Sequence, residues 1–86
     1  MVFEYRNKGV CSMKTIVDID EQHIIKDIKV LGGCDGNLKG IIALLIGTKA
    51  DDAISKLRGL TCGIKNTSCP DQISYALEAA IDNLEK

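Results

Sequence analysis

Residues 13–31 read Met13-Lys14-Thr15-Ile16-Val17-Asp18-Ile19-Asp20-Glu21-Gln22-His23-Ile24-Ile25-Lys26-Asp27-Ile28-Lys29-Val30-Leu31. The first half alternates, placing Met13, Thr15, Val17 and Ile19 on one face of an extended chain. Ile16 interrupts the polar face, which predicts some cover on that side too. Asp20-Glu21-Gln22 is a polar turn, and Ile24 to Leu31 is rich in β-branched residues. The two runs therefore form an antiparallel hairpin. Gly32-Gly33 ends its second strand, and Phe3 to Arg6 upstream supplies a short first strand.

Downstream the period changes from two to 3.6. Leu38, Ile41, Ile42 and Leu45 fall at i, i+3, i+4 and i+7, and Gly47 stops that helix. Ala50, Ala53, Ile54 and Leu57 repeat the spacing, with Thr48 as N-cap and Gly59 as the stop. In a third helix Pro70 suits the first position and Asp71 complements the helix dipole. Ile73, Ala76, Leu77, Ala80, Ile81 and Leu84 form its apolar stripe. The expected fold is α+β: a small antiparallel sheet of two or three strands, one face covered by three helices. Strands occupy about residues 2–31 and helices about 36–86 of a single domain, 1–86.

An 86-residue chain buries about 60–65% of its unfolded surface, which leaves a thin stability margin. Eleven basic and twelve acidic side chains leave a net charge of −1, without the basic excess of a nucleic-acid binder. With 45% hydrophobic and 27% charged residues the chain is globular. Aromatics at 3%, with no Trp, argue against base-stacking platforms and aromatic ligand cages. The longest apolar run, Ile41 to Ile46, is too short to cross a bilayer. Met1 to Arg6 lacks the apolar core of a signal peptide, so the expected location is cytoplasmic. Paired structural disulfides are rare in that reducing compartment.

Four cysteines, Cys11, Cys34, Cys62 and Cys69, stand out against that background. Their spacings of 23, 28 and 7 positions contain no C-x-x-C pair, so spacing alone is a weak signal. Placement says more. Cys11 precedes the second strand, and Cys34 follows the third at the entrance to the first helix. Cys62 lies in the Gly-flanked loop Thr61-Cys62-Gly63, and Cys69 is at or beside the N-cap of the third helix. Helix N-termini offer unpaired N–H groups and a positive dipole end, which suit a thiolate. Four thiolates make a full tetrahedral set for Zn2+ or an Fe–S cluster. The plainer reading is four small buried hydrophobes, but cysteines of that kind would sit inside the apolar stripes.

Other motifs carry less. Gly32-Gly33-Cys34-Asp35-Gly36 could cradle an anion, but a tight strand-to-helix turn explains the same glycines and no Walker-type Lys and Ser/Thr follow. His23 falls in the hairpin turn and is expected to be solvated. Asp18, Asp20 and Glu21 lack the Gly and Glu offsets of a calcium loop. No Ser–His–Asp set or adjacent Cys–His pair is present.

At Thr67-Ser68-Cys69-Pro70-Asp71 the chain resembles the TSCPD domain family. The resemblance extends through Gly9-Val10-Cys11-Ser12, Gly32-Gly33-Cys34-Asp35-Gly36-Asn37 and Gly59-Leu60-Thr61-Cys62-Gly63. It implies a metal-binding role for Cys11, Cys34, Cys62 and Cys69. The same module ends coenzyme-B12-dependent ribonucleotide reductases, nucleotide-binding oxidoreductases of DNA synthesis. This chain has no room for their catalytic barrel, so it is not a complete ribonucleoside-diphosphate reductase. It could at most be an accessory thiol or metal module supplied in trans. A looser resemblance is to iron–sulfur scaffolds of the NifU/IscU type, in their two-layer arrangement. Cys11, Cys34 and Cys69 match the three scaffold cysteines, while Met13 and Ser68 replace the scaffold's Asp and His; Cys62 could supply the fourth ligand. These resemblances imply ribonucleotide reductase or iron–sulfur machinery as partner, with neither nucleic acid nor membrane. A cluster or sulfur carrier and a thiol-redox accessory, cycling Cys62 with Cys69, are the alternative roles. A homodimer is compatible with the chain.

Overall fold

The computed structural model describes residues 1–7, 14–32, 36–60 and 69–85, with 36–38 as helix backbone. Strands β1 (Val2–Arg6), β2 (Lys14–Ile19) and β3 (Ile25–Leu31) form one antiparallel sheet in the order β1-β2-β3. Helices α1 (Gly36–Leu45), α2 (Ala50–Leu57) and α3 (Cys69–Leu84) follow. α3 lies across β1 and β2, α1 lies against β3, and α2 packs on α3. This is the expected α+β arrangement.

The core joins the inward sheet face to the helix stripes. Thr15, Val17 and Ile19 of β2 are all buried, as their alternation requires. Phe3 stands opposite Val17, and Tyr5 opposite Thr15. On β3 the inward residues are Ile25, Ile28 and Val30, a set with no strict alternation. The reason is an irregularity in register: Asp18 pairs with Asp27 and Ile19 with Ile25, so Lys26 is the extra residue of a bulge. A bulge shifts the side-chain phase by one, which lets Ile25 and Ile28 face the same way. Ile73, Ala76, Leu77 and Ala80 of α3 complete the core with Ala50, Ala53 and Leu57 of α2. The α1 and α3 stripes thus meet the sheet, with Leu45 anchoring α1, while the α2 stripe packs on α3 and joins the same core.

Three expectations change. Ile16 remains half-buried on the outer face, where Val2, Asp27 and Lys29 line a shallow groove with it, and no described element covers that side. Thr48 does not cap α2. Its Oγ1 and its N–H both donate to the Leu45 carbonyl, closing the end of α1, and the N-cap of α2 is Lys49, without a side-chain bond. Gly47, at φ +89°, makes that reversal possible. Its N–H donates to the Ile25 carbonyl, while the Ile25 N–H donates to Thr48 and the Ala50 N–H to His23. The helix connection is thereby stitched to the start of β3, which left Thr48 no room to act as a cap.

His23 is the third. It is not solvated: only 16% of its side chain is exposed. Its Nδ1 lies 2.8 Å from Asp51 Oδ1 and its Nε2 lies 3.5 Å from Glu85 Oε2. The backbone adopts φ +67°, turning the ring back over the first turn of α2 and the end of α3. The β2–β3 turn is thus clamped to both helices by one side chain.

Asp20 closes the same turn. Its Oδ1 accepts the N–H groups of Ile24 and Gln22, and Lys26 Nζ stands 3.6 Å from Oδ2. The Ile24 N–H bond above all holds its carboxyl below the ordinary 3.8, with the Gln22 bond and Lys26 acting in the same direction. A folded-state value below the unfolded one adds stability above the unfolded value, lost as pH falls through the folded value. An Asp20→Asn variant is therefore expected to show a shallower loss of stability on acidification, measured by denaturant unfolding from neutral pH into acid. An identical acid limb in both proteins would exclude this role.

Candidate functional site

The register sets the geometry of one end of the molecule. Arg6 pairs with Lys14, and Lys14 pairs with Leu31, so three strand ends lie side by side. The segment bearing Cys11 joins the first two of those residues. The segment bearing Cys34 leaves Leu31 for Gly36, where α1 begins. α1 ends beside Ile25 at the far end of β3, so its N-terminus belongs to the near end. α2 runs the opposite way, from His23 at the far end towards Gly59. α3 begins at Cys69 beside Gly59, and its last residues reach Met1, Ile19 and His23 at the far end. The described residues that flank all four cysteines therefore gather at one end of the sheet.

Cys69 is the first residue of α3, half-buried and packed against the edge of the core. It stands at an element end, as the sequence suggested, although its side chain also touches the apolar cluster. Cys11, Cys34 and Cys62 lie outside the described residues. So does the glycine-flanked turn at 33–35.

Around Cys69 the described residues build a buried polar frame. The Asp71 side chain is 4% exposed, and its Oδ1 accepts the Gly59 N–H at 2.8 Å. Gly59 stands at φ +87°, so the chain leaves α2 through a left-handed residue directly onto α3. Arg58 Nε donates to Ser74 Oγ at 2.8 Å, and Ser74 Oγ donates to the Asp71 carbonyl. The guanidinium stacks 4.0 Å from the centre of the Tyr75 ring. It also pairs with Glu78 at 3.6 Å. On the sheet side, buried Thr15 donates to Asn7 Oδ1 at 2.8 Å. Burial holds the Tyr5 hydroxyl above its ordinary 10.0; Tyr75 and Asp71 add to this and Arg58 opposes it.

This frame fixes where α2 ends and α3 begins, and so where the 61–68 segment is anchored. The sequence reading missed it. Asp71 looks like an ordinary first-turn acid, and nothing local signals that its partner is a backbone group twelve residues upstream. Arg58 gave no periodic signal either. A weak one was present in Tyr75 and Glu78, three apart on one α3 face, which together suit a cation.

Chemically, this end presents the Cys69 thiol at a helix N-terminus beside a buried polar frame, in a small α+β module. The chain belongs to the TSCPD domain family, whose model matches residues 3–81. No curated protein and no solved structure matches the chain. No helix of the described residues is long and apolar enough to cross a membrane.

Proposed function

We propose that the chain is a metal-binding module in which Cys11, Cys34, Cys62 and Cys69 hold one Zn2+, with an Fe–S cluster as the variant of the same site. The observation that supports this reading is the gathering at one sheet end of the described residues flanking all four cysteines, with Cys69 opening α3. The donor set fits the group: four thiolates satisfy a tetrahedral ion with no ligand left over. Bound metal would contribute folding energy to a domain with so small a core. In this role the module serves a larger protein, ribonucleotide reductase or the iron–sulfur assembly machinery.

Elemental analysis of protein purified without chelator tests the reading. One zinc per chain and no visible absorption are expected; iron with sulfide and a brown colour would select the cluster. A metal-free protein that loses two thiols on mild oxidation would overturn both in favour of a dithiol role.

A further inference from the structure

We infer that the face formed by α1 and α2 is a homodimer interface, in which a second copy of this chain seats its Leu44 in the groove between the two helices. The inference is independent of what the cysteines bind. Leu44 is 79% exposed, the most exposed large apolar side chain among the described residues. A solitary exposed leucine is ordinary. This one stands on the wall of a groove of about 540 Å³ that Ile41, Ala53 and Leu57 also line. Beside it on α1, Ala43 is exposed and a Cβ placed on Gly40 would meet nothing within 4 Å beyond its own helix backbone, so another chain can approach closely. Knob and hole lie on one patch, which is what an isologous contact requires.

The rim identifies the occupant. Asp52 and Lys56 border the groove on α2, one turn apart, or about 6 Å along the axis. Neither forms an ion pair with any described residue. A two-fold axis between them would lay two α2 helices antiparallel, setting each Asp52 against the partner copy's Lys56 and forming two identical ion pairs. A patch whose charges complement themselves under rotation fits a copy of itself. The net charge of −1 opposes that approach only weakly.

Sedimentation equilibrium on the full chain tests this with three variants. Wild type is expected to be dimeric at micromolar concentration. Leu44→Gln leaves the rim charges unaltered and should be monomeric, with the melting temperature that wild type shows when diluted until it too is monomeric, because Leu44 is exposed in the single chain. Asp52→Lys sets like charges together twice and should weaken the dimer by roughly tenfold or more. The exchange Asp52→Lys with Lys56→Asp should restore it. A wild type that stays monomeric overturns the inference. So does a dimer that survives Leu44→Gln, which would assign association to another surface such as the edge of β1, or a charge exchange that fails to restore it.

Discussion

Replacing Cys62 with serine is expected to abolish stoichiometric metal binding and lower the melting temperature by more than about 10 °C. The reasoning starts from size. An 86-residue chain has a small core, so a bound ion would form a large share of its stability. Structural zinc contributes about 10–16 kcal/mol of apparent binding energy in small finger peptides near neutral pH. A serine hydroxyl replaces a charged, soft ligand with a neutral, hard one. Even a loss of about 3 kcal/mol corresponds to roughly 12–24 °C, at about 4–8 °C per kcal/mol for a domain of this size. If Cys62 is instead the resolving thiol of a dithiol pair, the serine variant keeps its melting temperature and loses oxidative pairing with Cys69. Equal metal content and equal melting temperature in the two proteins would end the ligand assignment. Calorimetry with metal analysis on the same samples separates these outcomes.

What the sequence makes legible here is whatever depends on neighbours along the chain. The alternation of Thr15, Val17 and Ile19 and the stripe from Ile73 to Leu84 each report their own element, and the core follows from them. The position of the cysteines at element ends is equally local, and antiparallel register carries the flanks of Cys11 and Cys34 to one end. What stays hidden are contacts that depend on how elements meet. The bulge at Lys26 is decided by pairing with β2, so the odd spacing of Ile25 and Ile28 cannot be read from β3 alone. Thr48 has the chemistry of an N-cap, but the backbone bonds to Ile25 turn it towards Leu45. His23 looks like a turn residue because Asp51 and Glu85, its partners, are far away in the chain. The same blindness hid Asp71, whose carboxylate ties the start of α3 to Gly59 at the end of α2.

Asp71→Ala is expected to lower folding stability by about 2–3 kcal/mol, because it strands the part-buried Gly59 N–H and empties a buried polar position. It should also weaken metal binding, for a reason separate from stability. The Gly59–Asp71 bond spans twelve residues and closes a loop that carries both Cys62 and Cys69. With that bond in place, the ends of the loop are already held together when the thiols converge on an ion. Without it, the packing of α2 on α3 still holds the two helices together, but the ends of the loop fray and binding must meet the entropy of ordering them. A cost of about 1.4 kcal/mol is a tenfold loss of affinity, read in a competition titration against a chromophoric chelator. Asp71→Asn retains an oxygen that can accept the Gly59 N–H and should recover much of both losses. Leu77→Ala is the control. Leu77 is fully buried on α3, away from the loop anchor, so its substitution should cost about 2–5 kcal/mol of stability through the cavity it leaves. Under conditions where both variants remain folded, Leu77→Ala should bind metal with wild-type affinity and Asp71→Ala should not. Equal affinities in the two variants would reduce Asp71 to a structural residue with no share in the site.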